Sequence, residues 1–347
     1  MTSVAWLVSA AAVGLVSGAA GAALMLARVR RTGRPVDLPD PRRLHAVPTP
    51  RGGGIGILLA GVAAFPLAMT AANIAERDRL FVLLLVWALP NGVLGTIDDH
   101  RALSPWLKLL LQVLLAIGAV ALGLRVDEIG VPPVGTLRLG WLGPIFCVCW
   151  LVWMANLFNF MDGMDALAAE CGAIFFVGLA TLALMADSPG LSSVSFSIAG
   201  ALVGFLYFNL PPARIFMGDG GSLFAGAIMG GVAMALARTD VAGVPLAASA
   251  VLVGTFAFDA TFTVVRRATR GQVLRPHRTH FYQRLVLAGW SQRSVRMLYV
   301  CLSLIGFGGA IALLRGQPTL QVLLIAVNTT GLSAIVLITR RAEARTR

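Results

Sequence analysis

Long apolar segments dominate this sequence, and they limit it to a fold that spans a membrane. Apolar runs begin at Val4 and recur as far as the basic C-terminal tail, and a helix needs about 20 such residues to cross a bilayer. Hydrophobic residues make up 57% of the 347 residues, and charged residues make up 13%. This composition gives the chain far more apolar surface than one water-soluble core needs. The sequence therefore predicts an all-α integral membrane bundle of about eleven transmembrane helices, built as a single domain of residues 1–347.

Basic residues are distributed unevenly between the predicted loops. The loops after the first, third, fifth, seventh and ninth helices, together with the tail, hold 22 of the 28 basic residues. Because cytoplasmic loops carry an excess of Lys and Arg, we expect the N-terminus outside and the C-terminus in the cytoplasm. Five polar segments then share the cytoplasmic face and are expected to converge on one active site: residues 28–54, 98–105, 156–166, 209–222 and 266–296.

The net charge of +12 comes almost entirely from arginine, since Lys108 is the only lysine. On a membrane protein, such positive charge is typical of residues that set the topology and contact anionic lipid headgroups. We therefore expect no nucleic-acid partner. The four cysteines lie in or beside apolar runs without the spacing of metal ligands. The sequence therefore predicts neither a zinc site nor a disulfide framework.

A polar segment, NLFNFMDGMDALA, follows the apolar run that ends near Met154. Its Asn156, Asn159, Asp162 and Asp165 recur at every third position, so a helix would place the first three in one stripe. Polar groups this close to a membrane helix are costly unless they face a cavity, a partner or an ion. We interpret the segment as part of a binding site; the alternative is a polar helix end in the headgroup region.

Carboxylates in two further segments suit a magnesium and phosphate site. Asp98 and Asp99 are adjacent at a predicted helix end, although such a pair also occurs at ordinary interfacial helix ends. In MGDGGS, Asp219 is followed by two glycines and Ser222, which opens a helix. Hard carboxylate oxygens suit Mg²⁺, and backbone amides at a helix N-terminus bind phosphate.

Two histidines and a glycine-rich segment complete the candidates. His277 and His280 are separated by three positions and flank Arg278, a pattern that offers several donors to a diphosphate. The alternative is a basic loop that merely follows the topology rule. PTPRGGGIG, residues 48–56, precedes a membrane helix and is interpreted as closely packed backbone, not as a dinucleotide-binding fingerprint.

These motifs, taken together and in order, resemble those of one enzyme family. Five segments are similar to motifs of the polyprenyl-phosphate N-acetylhexosamine-1-phosphate transferases, glycosyltransferase family 4. They are HAVPTPRGGGIG, GTIDDHRALSPWLKLLLQ, NLFNFMDGMDALA, NLPPARIFMGDGGSLFAG and PHRTHFYQRL. PHRTHFYQ replaces the His-rich stretch of phospho-N-acetylmuramoyl-pentapeptide transferases. The chain therefore looks more like the undecaprenyl-phosphate N-acetylglucosaminyl-1-phosphate transferases of O-antigen and common-antigen type. Ala102 stands where the frequent DDxxD pattern has its third Asp.

The resemblance implies a reaction and its partners. N-acetylhexosamine-1-phosphate would pass from a UDP-N-acetylhexosamine to undecaprenyl phosphate, with release of UMP, at the cytoplasmic face of a bacterial plasma membrane. Mg²⁺ would be the cofactor, with Mn²⁺ as an alternative ion, and a homodimer among membrane lipids is compatible with the family. The alternatives are a phospho-N-acetylmuramoyl-pentapeptide transferase and, from other classes, a transporter of an anionic solute or a non-catalytic membrane scaffold.

The resemblance also implies roles for individual residues. Asp219 would be the principal Mg²⁺ ligand, while Asp98 and Asp99 would help to position metal and lipid phosphate. Lys108 would face the diphosphate, and Asn209 and Phe216 would hold the uracil. The expected catalytic residues are Asp98, Asp99, Lys108, His277 and His280; the expected substrate-binding residues are Asn156, Asn159, Asp162, Asp165, Asn209, Phe216 and Arg278. Asp259 matches a frequent Asp of the family, and its role is left open.

Overall fold

Helices form most of the structure, a computed structural model that describes residues 3–38, 47–131, 135–237, 246–271, 278–316 and 318–345. In these ranges the helices are α1 Ser3–Thr32, α2 Ile55–Ala71, α3 Ile74–Phe81, α4 Leu89–His100, α5 Pro105–Ala121, α6 Gly143–Met161, α7 Leu167–Met185, α8 Pro189–Asn209, α9 Gly218–Leu236, α10 Leu246–Leu252, α11 Gly254–Ala268, α12 Phe281–Leu287, α13 Gln292–Leu314 and α14 Pro318–Arg345. A π-helical segment, Val82–Ala88, joins α3 to α4, and a short 3₁₀ turn, Gly140–Leu142, precedes α6.

Many of these helices are long and apolar enough to cross a bilayer. Within the described ranges there are eight such helices, or nine if α10 and α11, which meet at 81°, form one bent span. The apolar helices α2 and α5 are shorter, with 17 residues each. The predicted helical structure with several helices able to span a membrane is confirmed, while the number of eleven spans and their orientation stay predictions.

Two small antiparallel hairpins accompany the helices. β1 Val36–Asp37 pairs with β2 Thr49–Pro50, and β3 Glu128–Val131 pairs with β4 Gly135–Arg138. The sequence analysis did not predict these strands. The first hairpin matters for the site, because it fixes the approach of the chain to α2.

The centre of the bundle is α9, which is buried from Gly220 to Leu236. Its small residues let neighbouring helices approach closely, as in other membrane bundles. At Gly226, an added Cβ would lie 2.6 Å from the carbonyl oxygen of Met154 in α6. At Gly95 of α4, an added Cβ would overlap the carbonyl of Asp219. This close packing places the C-terminal end of α4 against the first turn of α9.

We expect Gly95→Ala to destabilise the protein, because its new methyl group meets backbone that cannot move independently. Overpacking of this kind typically costs about 1–3 kcal/mol. The matched control is Gly118→Ala in α5, whose added Cβ would meet only Val86 Cγ1, at 4.0 Å. Thermal unfolding in detergent should show a lower Tm for Gly95→Ala alone. An unchanged Tm would contradict the described α4–α9 contact.

Candidate active site

The contact between α4 and α9 brings three carboxylates together. Asp98 and Asp99 lie near the end of α4, and Asp219 lies in the first turn of α9. The Asp99 carboxylate accepts hydrogen bonds from the backbone N–H of Asp219, at 2.9 Å, and of Gly220, at 3.1 Å. Asp99 therefore satisfies free donors at the N-terminus of α9, where negative charge is stabilised.

Two cations hold these carboxylates in one network. Lys108 Nζ lies 2.9 Å from Asp98 Oδ2 and 2.7 Å from Asp219 Oδ2. Arg51 Nε lies 2.8 Å from Asp99 Oδ1, and its Nη2 donates to Asp219 Oδ1. We call Asp98, Asp99 and Asp219, with Arg51 and Lys108, the carboxylate cluster. With every member ionised, the cluster carries one net negative charge. The structure therefore brings together Asp98, Asp99, Lys108 and Asp219, as the sequence analysis expected.

Arg51 lies in the predicted active-site segment 28–54, but the sequence analysis did not name it as a site residue. Gly52 has a φ of +96°, a conformation that favours glycine and lets the chain turn immediately after Arg51. The segment then pairs with the loop before α9: Gly53 N–H donates to Phe216 O at 2.9 Å, and Phe216 N–H donates to Pro50 O at 2.8 Å. Burial by itself would lower the pKa of Arg51, but the charges of Asp219 and Asp99 raise it above its usual value.

The polar residues at the end of α6 reach two neighbouring helices. Asn156 Nδ2 donates to Gln112 Oε1 of α5 at 2.9 Å. Asn159 Nδ2 donates to Ser222 Oγ of α9 at 2.9 Å. These two amides connect α6 to the helices that carry Lys108 and Asp219, and the substrate-binding role of the segment stays a prediction.

Asp162 ends α6 and lies in the electrostatic field of the carboxylate cluster. It is half-buried. Burial, and then the negative charges of Asp219 and Asp99, raise the pKa of Asp162 well above its usual value, and Arg51 only partly offsets this. Burial and the neighbouring carboxylates therefore both oppose ionisation of Asp162.

Asn209 and Asp165 join the loop after α6 to the loop before α9. Asn209 Oδ1 accepts from Ala166 N–H at 2.9 Å, and its Nδ2 donates to Ile215 O at 2.9 Å. Asp165 Oδ2 accepts from Ala213 N–H at 3.0 Å. In the structure both side chains position backbone. The predicted contact of Asn209 with uracil stays a prediction, as does stacking by Phe216, whose side chain is half-buried.

The histidine segment contacts the end of α6. His280 is buried, with its Nδ1 3.1 Å from Asp259 Oδ1 and its ring centroid 6.1 Å from that of Phe160. His277 lies outside the described residues, and Arg278 opens the range 278–316. The structure thus gives Asp259, whose role the sequence left open, a definite partner.

The donor set of the carboxylate cluster fits magnesium. Mg²⁺ is bound through one or two carboxylates together with water and substrate phosphates. Asp219, with Asp98 or Asp99, offers such oxygens, and the net negative charge of the carboxylate cluster would favour a divalent cation. In the described part of the chain, no three His, Cys, Asp or Glu side chains form a complete set of metal ligands.

Comparison with known proteins assigns the chain to a family. A probable undecaprenyl-phosphate N-acetylglucosaminyl 1-phosphate transferase of Bacillus subtilis is 36% identical over 278 residues, which cover 78% of this chain and 74% of that protein. The sequence profile of glycosyl transferase family 4 matches residues 81–237. The chain belongs to glycosyl transferase family 4. The resemblance that its motifs indicated is thus confirmed.

Relatives from two branches of the family are similar to this chain. A decaprenyl-phosphate N-acetylglucosaminephosphotransferase of Mycobacterium tuberculosis is 30% identical over 346 residues, covering 89% of this chain and 83% of that protein. A phospho-N-acetylmuramoyl-pentapeptide-transferase of Synechococcus is 35% identical over 266 residues, covering 71% and 74%. The matched region includes the carboxylates of α4 and α9.

We expect Asn209→Ala to lower stability, because it leaves the buried N–H of Ala166 and the carbonyl of Ile215 without this partner. A buried polar group that loses its partner typically costs about 1–3 kcal/mol. The control is Thr181→Ala, which removes an exposed hydroxyl bonded only within α7. Thermal unfolding should separate the two variants, and equal Tm values would contradict the bridging role of Asn209.

Proposed function

We propose that this protein transfers N-acetylhexosamine-1-phosphate from a UDP-sugar to undecaprenyl phosphate, releasing UMP and forming undecaprenyl-diphosphate-sugar. The reaction would be the first membrane step of a cell-envelope glycan. The observation that carries the proposal is the carboxylate cluster, where three carboxylates and two cations meet at helix ends of a membrane protein. Membership of family 4, and the activities named for the similar Bacillus and Mycobacterium proteins, support it.

The cluster suits phosphoryl transfer because this chemistry depends mainly on positioning and charge stabilisation. Arg51 and Lys108 offer N–H donors that can also bind phosphate oxygens. The N-terminus of α9 adds a favourable location for anions, and its first turn carries Asp219. These groups would hold two anionic phosphates near each other within a membrane protein.

Mg²⁺ is the cofactor that we propose, with Mn²⁺ as the alternative. It would be held by Asp219, with Asp98 or Asp99, and when bound it would neutralise charge on the reacting phosphates. The hard oxygen donors and the net negative charge of the carboxylate cluster support this assignment.

The attacking group in our proposal is an oxygen of the lipid phosphate. A phosphate monoester has a second pKa of about 6, so it is largely dianionic at neutral pH. A general base is therefore a modest requirement. Asp98 is already engaged, since Oδ1 accepts from Leu103 N–H at 2.7 Å and Oδ2 lies 2.9 Å from Lys108. These contacts favour a positioning role for Asp98 over a covalent aspartyl-phosphate.

We favour N-acetylglucosamine as the sugar, because the similar Bacillus and Mycobacterium proteins are named as transferases of N-acetylglucosamine phosphate. Asn159 and Asp162 would line the nucleotide-sugar cleft, and Phe216 could stack on uracil. The pentapeptide-transferase activity named for the Synechococcus relative is the alternative. We also propose that the N-terminus is outside and that the site faces the cytoplasm of a bacterium, as the 22 of 28 basic residues support.

The first test is release of UMP by purified protein from UDP-N-acetylglucosamine, undecaprenyl phosphate and Mg²⁺. We expect Asp219→Asn and Lys108→Gln each to lower kcat roughly 100-fold or more, because both remove charge from the reacting centre. Asp127→Asn is the control, since Asp127 is exposed and pairs only loosely with Arg125, at 3.6 Å. Activity that survives both site substitutions would contradict the assigned centre. Turnover only with the UDP-muramoyl-pentapeptide donor would favour the alternative.

We expect Arg51→Gln to lower the Mg²⁺ concentration at half-maximal activity, because Arg51 offsets the charge of Asp99 and Asp219. Its kcat should also fall if Arg51 contacts the phosphates, while Arg51→Lys should retain the metal dependence of the wild type. Mg²⁺ titration of both UMP release and Tm measures the effect. Arg77→Gln is the control, since exposed Arg77 donates to Met69 O near the C-terminal end of α2. A higher Mg²⁺ requirement in Arg51→Gln would overturn this role.

A further inference from the structure

The side-chain amide of Asn156, in α6, is held in one orientation. Its Nδ2 donates to Val152 O at 2.8 Å, one turn earlier in α6, and to Gln112 Oε1 of α5 at 2.9 Å. An amide nitrogen has two hydrogens, so both are used in these bonds. Rotation of the amide by half a turn would place Oδ1 against the carbonyl oxygen of Val152, where neither atom has a hydrogen to share. The contacts with Val152 and Gln112 therefore fix which end of the amide faces away from them.

The amide oxygen of Asn156 is the end that is left for a ligand. Asn156 is half-buried, and its Oδ1 makes no hydrogen bond within the part of the chain that the structure describes. The oxygen is also not fully buried, so a ligand can reach it. Because both amide hydrogens are already used, Asn156 can act towards a ligand only as an acceptor. A phosphate oxygen is itself an acceptor and does not suit this position, whereas a hydroxyl or N–H group does.

Gln112 orients this amide at a cost to stability. Its side chain is buried, and its Nε2 has no hydrogen-bond partner among the described residues. A buried donor without a partner destabilises a folded protein. Packing alone would therefore be served better at this position by an apolar side chain of the same size. The glutamine is explained by its Oε1, which accepts from Asn156 and determines the direction of that amide.

Both residues lie beside the carboxylate cluster. Gln112 is four positions after Lys108 in α5, and residues four positions apart share one face of a helix. Asn159, three positions after Asn156, donates to a side chain of α9 close to Asp219. The amide of Asn156 therefore belongs to the region where α6 meets the helices that carry Lys108 and Asp219. Groups next to the phosphates of a nucleotide sugar bound at the cluster would be the ones that approach it.

We propose that Gln112 is a positioning residue that turns the amide oxygen of Asn156 towards a hydrogen-bond donor of the nucleotide sugar. The inference rests on the proposed function. The donor is a hydroxyl or N–H group of the nucleoside or of the hexose, while the phosphates are bound by other residues. Asn156 is the residue that meets the ligand, and Gln112 acts through it. The competing explanation is that the pair only fastens α5 to α6.

Equilibrium binding without lipid phosphate, at saturating Mg²⁺, tests the contact directly. We expect Asn156→Ala to raise the Kd for UDP-N-acetylglucosamine roughly tenfold, as loss of one hydrogen bond predicts. The same measurement with UDP locates the donor. Weaker binding of both ligands places it on the nucleoside, and weaker binding of UDP-N-acetylglucosamine alone places it on the hexose. An unchanged Kd for both ligands would overturn the proposal. A defect seen only at low Mg²⁺ would also overturn it, because the amide oxygen would then serve the metal.

A double-mutant cycle tests whether Gln112 acts through Asn156. Gln112→Met keeps the length of the side chain and removes both its acceptor and its unpartnered donor. We expect it to raise the KM for the UDP-sugar roughly threefold or more, to change kcat less, and to leave Tm at or above the wild-type value. It should raise KM no further in Asn156→Ala. Increases in KM that multiply would show that Gln112 acts by another route, and a lower Tm with an unchanged KM would reduce the pair to a fastening between helices.

Asn91→Leu is the matched control. The Nδ2 of Asn91 also donates to a carbonyl one turn earlier, Trp87 O at 2.8 Å, but Asn91 is fully buried, so a ligand does not reach its oxygen. Asn91→Leu should leave the Kd and KM for the UDP-sugar unchanged, and a rise equal to that of Asn156→Ala would overturn the assigned contact. If one variant of the pair does not fold, the Kd of the other decides. A wild type that binds no UDP-sugar and releases no UMP would instead overturn the proposed function, and this inference with it.

Discussion

The paired contact of Asp219 with Arg51 and Lys108 is the interaction on which the rest of this structure depends. Charged groups inside a membrane bundle are tolerated only when opposite charges or hydrogen bonds compensate them. Here Asp219 sits at the start of the most deeply buried helix, and its two cations come from the loop before α2 and from α5. The ion pairs therefore also have a structural role, because they determine how three parts of the chain meet. Any role in binding phosphate must be compatible with that structural function.

Compensation in the cluster is incomplete, and the imbalance has a chemical consequence. Asp98, Asp99 and Asp219 outnumber their two cations, and burial together with the charges of Asp219 and Asp99 raises the pKa of Asp162. If Mg²⁺ is the cofactor, as we propose, the net negative charge of this site would favour the cation over an isolated phosphate. On the proposed reaction, a nucleotide that arrives with Mg²⁺ would be favoured over the free nucleotide, because the metal offsets charge on both the protein and the ligand. The two cations would then contribute to phosphate binding once the carboxylates have another counter-ion.

The sequence predicted this site in part, and its failures have physical causes. The membrane helices and the meeting of Asp98, Lys108 and Asp219 followed from hydropathy, positive-inside charge and motif resemblance. Arg51 was not named because it is one of the 22 basic residues whose location the topology rule already explained. Asp259 received no role because its partners are 21 to 40 positions away in the chain. The number of spans was not established, since α10 and α11 bend by 81° and α2 and α5 have only 17 residues. Local pattern predicts single helices well, but not long-range polar pairs or broken helices.

Several of the predicted site residues use their side chains to hold backbone in place. Asp99 accepts from the first turn of α9, Asp165 and Asn209 join two loops, and Asp259 holds the start of α12. Loops at the surface of a membrane bundle have few apolar contacts to fix them, so buried side-chain acceptors provide the rigidity. Catalysis by electrostatic stabilisation requires donors and charges that are positioned before the substrate arrives. Polar residues that resemble ligands in the sequence can therefore be necessary for transfer without contacting a substrate. A substitution at such a residue must be tested for a shift of the backbone that it holds as well as for loss of a substrate contact.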